Sequence, residues 1–202
     1  MMVMDRIMRR VWRFRAEDSA NVTVEFLMMV PILVWGFVST LKFFDAYRAK
    51  MIGNKAALII ADMYSRETGY IDGTYLNGTR DLLKYLTLAE DSPDYRVTLF
   101  YWRENRSKYW VRWSRNRGSQ VNLTHDTLND MASQLPLLED GERAILLETW
   151  TDYTPQYGNG LGYMVGTGLD PIEFKTHIVT SPRFSTTICW NNVPDDPTQA
   201  RC

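Results

Sequence analysis

The residues with the most chemistry in them lie between Tyr95 and Arg117. Arg96, Arg103, Arg106, Lys108, Arg112, Arg115 and Arg117 set seven cations against the single carboxylate of Glu104, and Trp102, Tyr109, Trp110 and Trp113 are threaded among them. Guanidinium forks hold phosphates and carboxylates, while aromatic faces stack on bases, on sugars or on the guanidinium planes themselves. Trp102, Arg103, Arg106, Trp110, Arg112, Trp113 and Arg115 are therefore candidates for binding an anion: a single-stranded nucleic acid, an acidic glycan or an acidic partner subunit. Strands alternate faces, however, and Trp inward with Arg outward is equally the pattern of a half-buried hairpin. Glu139, Asp140, Glu142, Glu148 and Asp152 form an acidic counterpart within the same chain.

Other chemistry is sparse. His125 and His177 have no spacing that ties them to a nucleophile, and the sequence sets no second carboxylate opposite Asp152, so no enzyme and no catalytic residue is expected. Two His and two Cys are too few for a closed zinc site of the usual spacing, and no metal or other cofactor is expected. Gly158-Asn159-Gly160-Leu161-Gly162 resembles a phosphate-binding turn. Such a turn must open a helix so that backbone amides face the phosphate, and the next apolar run, IEFKTHIVT, is β-like; a surface loop is expected instead.

These residues have to be positioned by a fold that the rest of the chain can supply. In 202 residues, 23 Lys plus Arg balance 24 Asp plus Glu, which excludes bulk polyelectrolyte binding and makes any anion site local. An apolar share of 45% is ample for a packed core. Tyr95 to Arg103 and Lys108 to Ser114 read as an antiparallel hairpin closed by residues 104–107. Before it, Gly69, Gly73 and Gly78 interrupt the pattern, and TRDLLKYLTLAE predicts a short helix with Leu82, Leu83 and Leu86 inward. After it, Thr124 caps a helix carrying Leu128, Met131, Ala132 and Leu135, ended by Pro136. Strands follow at Ala144 to Tyr153 and Ile172 to Thr180, separated by a glycine-rich loop from Pro155 to Pro171, and the chain closes in a polar tail. The expected class is α+β, an antiparallel sheet packed on helices.

The N-terminal region is the most uneven. Phe26 to Leu41 reads FLMMVPILVWGFVSTL, sixteen residues without a charge. Val22 to Phe44, with Lys42 snorkelling toward the headgroups, gives about 23 residues, enough to span a hydrocarbon core of roughly 30 Å. The segment is apolar on every face, unlike an amphipathic core helix. Arg6, Arg9, Arg10, Arg13 and Arg15 precede it, so the N-terminus is expected in the cytoplasm and the bulk of the chain outside it. No A-x-A pattern follows the apolar run, which argues against conventional signal cleavage. Phe44, Tyr47, Met51, Ile52, Ile59, Ile60 and Met63 continue a helical period to about Arg66, as a stalk. Outside the cytoplasm Cys189 and Cys202 become a disulfide candidate.

Glu25 sits at the membrane-entry end, where a carboxylate is costly without a partner. The run Asp18-Ser19-Ala20-Asn21-Val22-Thr23-Val24-Glu25-Phe26-Leu27, with Pro31 six residues after the Glu, resembles the N-terminus of TadE/TadG-like pilus-assembly proteins, pseudopilins related to type IV prepilins. Tyr153-Thr154-Pro155 is similar to that family's aromatic-x-Pro signature, and Ser181-Pro182-Arg183 is similar in part to its Arg-Pro-Arg motif, with Ser181 in place of Arg. The resemblance implies processing by a prepilin peptidase between Ala20 and Asn21, with Ala20 where the family usually has Gly. Glu25 would then be the fifth mature residue, followed by Phe26, and could pair with the new ammonium at Asn21 or with that of a neighbouring subunit. It further implies a cytoplasmic leader (1–20), a transmembrane and stalk helix (21–66), a periplasmic pilin-like head (67–188) and a C-terminal tail (189–202). The implied setting is the bacterial inner membrane, and the implied partners are other pilins or pseudopilins and the Tad-type secretion machinery. The role would be assembly of an adhesive pilus. The competing expectation is a tethered binding module for an anionic polymer or a partner protein.

Overall fold

Forty-eight residues, Ser19–Arg66, form one helix, α1, which runs through Pro31 without interruption. The computed structural model describes residues 19–154, 171–192, 198 and 200–202, with side chains from residue 22 on. The basic leader through residue 18 and the glycine-rich loop from 155 to 170 lie outside the described residues, as do the side chains of Ala20 and Asn21. Two compact units share α1, which passes from one to the other between Asp45 and Ala46.

In the first unit, Val22 to Asp45 carries apolar residues on all faces. Phe26, Leu27, Met28, Ile32, Leu33 and Phe37 are all exposed, and Lys42, expected at the headgroups, is buried. Among the described residues α1 is the one helix long and apolar enough to cross a membrane, and none of its most apolar stretch is buried.

The second unit is α+β. Its helix lies on a four-stranded antiparallel sheet of order β3-β2-β4-β5, built from β2 (Asp94–Arg103), β3 (Lys108–Arg117), β4 (Arg143–Tyr153) and β5 (Ile172–Thr180). Ala56, Ala57, Ile60, Ala61 and Tyr64 of α1 meet Val97, Leu99, Trp113, Ile145 and Leu147 from one face of that sheet. Three alanines let the helix axis come close to the strands, and Ile60 and Tyr64 fill the space beside them. Ile59, Met51, Tyr47 and Phe44, which the period placed inward, are exposed. On the other face Phe100, Tyr109, Ala144 and Leu146 pack under Leu123, Leu128 and Leu135. Full burial of the leucine, isoleucine and phenylalanine side chains stabilises by about 1.5–3 kcal/mol each.

Several elements differ from the sequence expectation. The second helix, α2, spans Gly73–Thr87 and begins where glycines were read as breakers. Asp72 caps it, its Oδ1 accepting from the Tyr75 amide at 2.8 Å, which satisfies an amide that the helix start leaves without a partner. Its buried residues are Leu76, Thr79 and Leu83, with Leu86 at the margin, and Leu82 lies off this stripe. The helix capped by Thr124, α3, is only His125–Asp130; a 3₁₀ turn at Ala132–Gln134 then brings Leu135 to the core. The tail is not simply polar. β6 (Cys189–Asn191) pairs parallel with β1 (Tyr70–Ile71) and antiparallel with β7 (Ala200–Arg201), and Trp190 packs on Trp113 at 6.0 Å. A disulfide joins Cys189 to Cys202 across this small sheet. Arg183, from the Ser-Pro-Arg motif, donates its amide to the Ser65 carbonyl at 2.7 Å and reaches Asp62 at 3.4 Å, fixing the chain after β5 to the end of α1.

A candidate anion-binding hairpin

The hairpin of β2 and β3 closes through a 3₁₀ turn at Glu104–Arg106, with Ser107 left-handed at φ 49°. Its tip is held by the segment before β4: Asp140 Oδ1 accepts from the Glu104 amide at 2.8 Å, and the Gly141 amide donates to the Trp102 carbonyl at 2.9 Å. The pairing is not regular. Leu99 faces Trp113 but Phe100 faces Val111, which leaves Arg112 as the extra residue of a bulge.

That bulge brings three arginines and two rings together. Arg112 lies over the Tyr101 ring at 5.3 Å. Arg103 lies 5.8 Å from Tyr101 and 4.9 Å from Trp110, and Arg106 lies 5.4 Å from Trp110. His125 meets Trp110 from α3 at 4.6 Å. Among the described residues none of these three guanidinium groups has a carboxylate within 4.0 Å, whereas Arg66, Arg80, Arg96, Lys175 and Arg183 all do. An open groove of about 530 Å³ runs beside β3, between Arg112, Arg115 and the segment Asn122 to Asp126.

Not all seven expected residues join this surface. Trp113 is a core residue, its Nε1 donating to the Ile188 carbonyl at 2.9 Å. Trp102 turns to the opposite face, against Tyr109 at 4.8 Å. Arg115 stacks on Trp190 at 4.7 Å and donates to the Ser114 carbonyl and to Asn192; burial, aided by Arg201 and Arg117, pulls its guanidinium below the usual range. Tyr101 was missed from sequence, although its place two residues before Arg103 puts both on one face of β2. In the sequence His125 reads only as a candidate catalytic group, and its contact with Trp110 has no local signal.

The charge that β2 carries at Arg96 is compensated. Glu148, wholly buried, accepts from Arg96 Nε at 2.7 Å and faces Lys175 Nζ at 3.2 Å, and both cations lie 5.2 Å over the Trp150 ring. The histidines do not meet. His125 accepts weakly from the Val111 amide at the β3 edge, and His177 lies on β5 at the other edge, at least three strand spacings or about 14 Å away. Compared with known proteins, this chain matches no family model, no curated protein and no solved structure.

Glu25 and Phe26 are exposed on the apolar part of α1. Asp152 is exposed on β4, opposite Glu173 of β5. What the hairpin can do chemically is hold an anion: three cations without carboxylates, fixed on aromatic rings, with in-plane N–H donors available at their edges.

Proposed function

We propose that this protein is a membrane-anchored minor pseudopilin-like component that takes part in assembling a Tad-type pilus, with its α+β unit outside the cytoplasm. The observation that carries the reading is the divided use of one helix. Its first half is apolar all round and exposed, and its second half packs an alanine-rich stripe, with Ile60 and Tyr64, on an antiparallel sheet. A helix used in this way can anchor a subunit in lipid and also seat a folded head. Leu58 and Ile59 stay exposed on the half that packs on the sheet, offering apolar area to a neighbouring subunit's helix. The disulfide supports an oxidising compartment. The resemblance of residues 18–27 to TadE/TadG-like proteins supplies the assembly role, and Glu25 on an exposed apolar helix is suited to pair with an ammonium at the membrane edge.

The test is the intact mass and N-terminal sequence of the membrane-extracted protein, expressed with and without a prepilin peptidase. A chain that starts at Asn21 only when the peptidase is present, and is lost in Glu25→Ala, is the expected outcome. A chain that keeps Arg6 to Arg15 in both cases overturns the processing step and leaves a tethered binding module. The uncompensated arginines of the hairpin favour that second reading, and Arg103→Gln with Arg112→Gln separates the two: loss of anion binding with intact piliation identifies a binding module.

A further inference from the structure

We infer that the arginine face of the β2–β3 hairpin is a docking surface for a carboxylate-rich segment of a partner protein. The inference goes beyond the assembly reading and stands or falls without it, because it rests on the hairpin alone. Anion recognition by aromatic and basic residues takes two forms. In one, open ring faces stack on bases or on sugar rings while cations neutralise a backbone. In the other, the rings serve to orient guanidinium groups, and the N–H edges make the contact.

This hairpin has the second form. Tyr101 is already covered by Arg103 and Arg112, and Trp110 by Arg103 and Arg106, with His125 also against it. A base or a pyranose would have to displace a guanidinium before it could stack. A carboxylate needs no such rearrangement, since a guanidinium lying over a ring keeps its bidentate donor edge in its own plane. The bulge supports the same conclusion: it takes Arg112 out of strand pairing and sets it on the ring side, beside the groove along β3.

Strand addition is not the mode of docking. Along β3 the Tyr109 amide donates to Asn129 Oδ1 at 3.0 Å, and the Tyr109 carbonyl accepts from Asn129 Nδ2 at 2.9 Å. The edge is thus engaged by α3, and the partner is recognised through side chains. Asp126 lines the far wall of the groove and Glu104 lies at the tip, which favours a segment whose carboxylates are spaced among neutral residues over a uniform polyanion.

The experiment uses full-length protein in nonionic detergent and fluorescence anisotropy with three labelled probes at matched charge: a glutamate-containing peptide, oligo-dT and an oligogalacturonate. The expected result is tightest binding to the peptide, weakened at least tenfold in Arg103→Gln/Arg106→Gln/Arg112→Gln. The corresponding triple Lys variant keeps the charge but lacks the stacked fork, and is expected to weaken binding at least threefold. Lys84→Gln, on α2, is expected to bind as the parent does. Unchanged peptide binding in the Gln variant overturns the inference, as does full binding by the Lys variant. Tighter binding of oligo-dT or oligogalacturonate overturns it in favour of a nucleic acid or a glycan. Near-ultraviolet circular dichroism matching the parent establishes that the variants are folded.

Discussion

Replacing Arg96 by Met should destabilise the α+β unit strongly, because it leaves a buried carboxylate without its main partner. Glu148 is wholly buried, and Arg96 supplies its close partner, with Nε at 2.7 Å and Nη2 on the same carboxylate oxygen. With Arg96 gone, the carboxylate keeps only Lys175, whose side chain is 47% exposed and whose attraction is weakened by water. Breaking one side of a buried ion pair costs about 3–5 kcal/mol, because the remaining charge has lost its solvation without compensation. For a urea dependence of about 2 kcal/mol per molar, the midpoint should fall by about 2 M. Lys175→Met should cost about 1 kcal/mol or less. The decisive comparison is Arg96→Met/Glu148→Leu, which removes both charges and should recover most of the loss. A residue of about 1 kcal/mol should remain, because Arg96 also donates to the Val121 carbonyl. Urea titrations in nonionic detergent, followed by near-ultraviolet circular dichroism, measure all four proteins. If Arg96→Met costs under about 1 kcal/mol, or if the double variant is no more stable than Arg96→Met alone, the carboxylate is not a buried charge held by Arg96 and the reasoning fails.

Gly118 has φ +116°, and a Cβ there would lie 1.7 Å from Asp94 Oδ1, so Gly118→Ala must push aside the carboxylate that holds the Ser119 amide at 2.8 Å. A loss above about 1 kcal/mol, read as a fall of at least about 2 °C in Tm, is expected, and an unchanged Tm refutes the strain argument. Burial raises the hydroxyl pKa of Tyr64, Tyr75 and Tyr95, that of Tyr75 to about 12 with help from Glu67. Their neutral forms therefore favour folding fully below about pH 10, and this contribution is lost as pH rises from there through 12. The share of tyrosinate absorbance that belongs to these three rings should then appear together with unfolding, and ionisation of all tyrosines in a folded protein near pH 10 would contradict it. Cys189→Ser/Cys202→Ser opens a loop with a sequence separation of 13 and should cost about 3 kcal/mol in the chain-entropy picture; equal urea midpoints for the variant and the parent would show that the small sheet does not need the link.

Local pattern made some elements legible and hid others for identifiable reasons. Strand β5 was read to its ends because IEFKTHIVT alternates and is rich in β-formers. The start of α2 was hidden because Gly73 and Gly78 outweighed the cap at Asp72, and α3 was overextended because one helical turn followed by a 3₁₀ turn places Leu128 and Leu135 much as a continuous helix would. The β1–β6 pair joins Tyr70 to Cys189, a contact with no local signature. On α1 three of the five residues packed on the sheet are alanines, the residues that hydrophobic periodicity weights least.

The hairpin combines both cases. Its charge and aromatic content were plain, but its facing could not be counted out by alternation. In a regular strand Trp110 and Trp113, three residues apart, take opposite faces. The bulge at Arg112 restores them to one face, opposite Tyr101 and Leu99, which are two apart on β2. One face of the hairpin therefore changes character along its length: at Leu99 and Trp113 it joins the core beneath α1, and at Tyr101 and Trp110 it becomes the platform for Arg103, Arg106 and Arg112. The two stretches are consecutive residues of the same paired strands, so the packing that seats α1 also holds the platform rings in place. Ordering the arginines then costs little side-chain entropy at the moment an anion arrives.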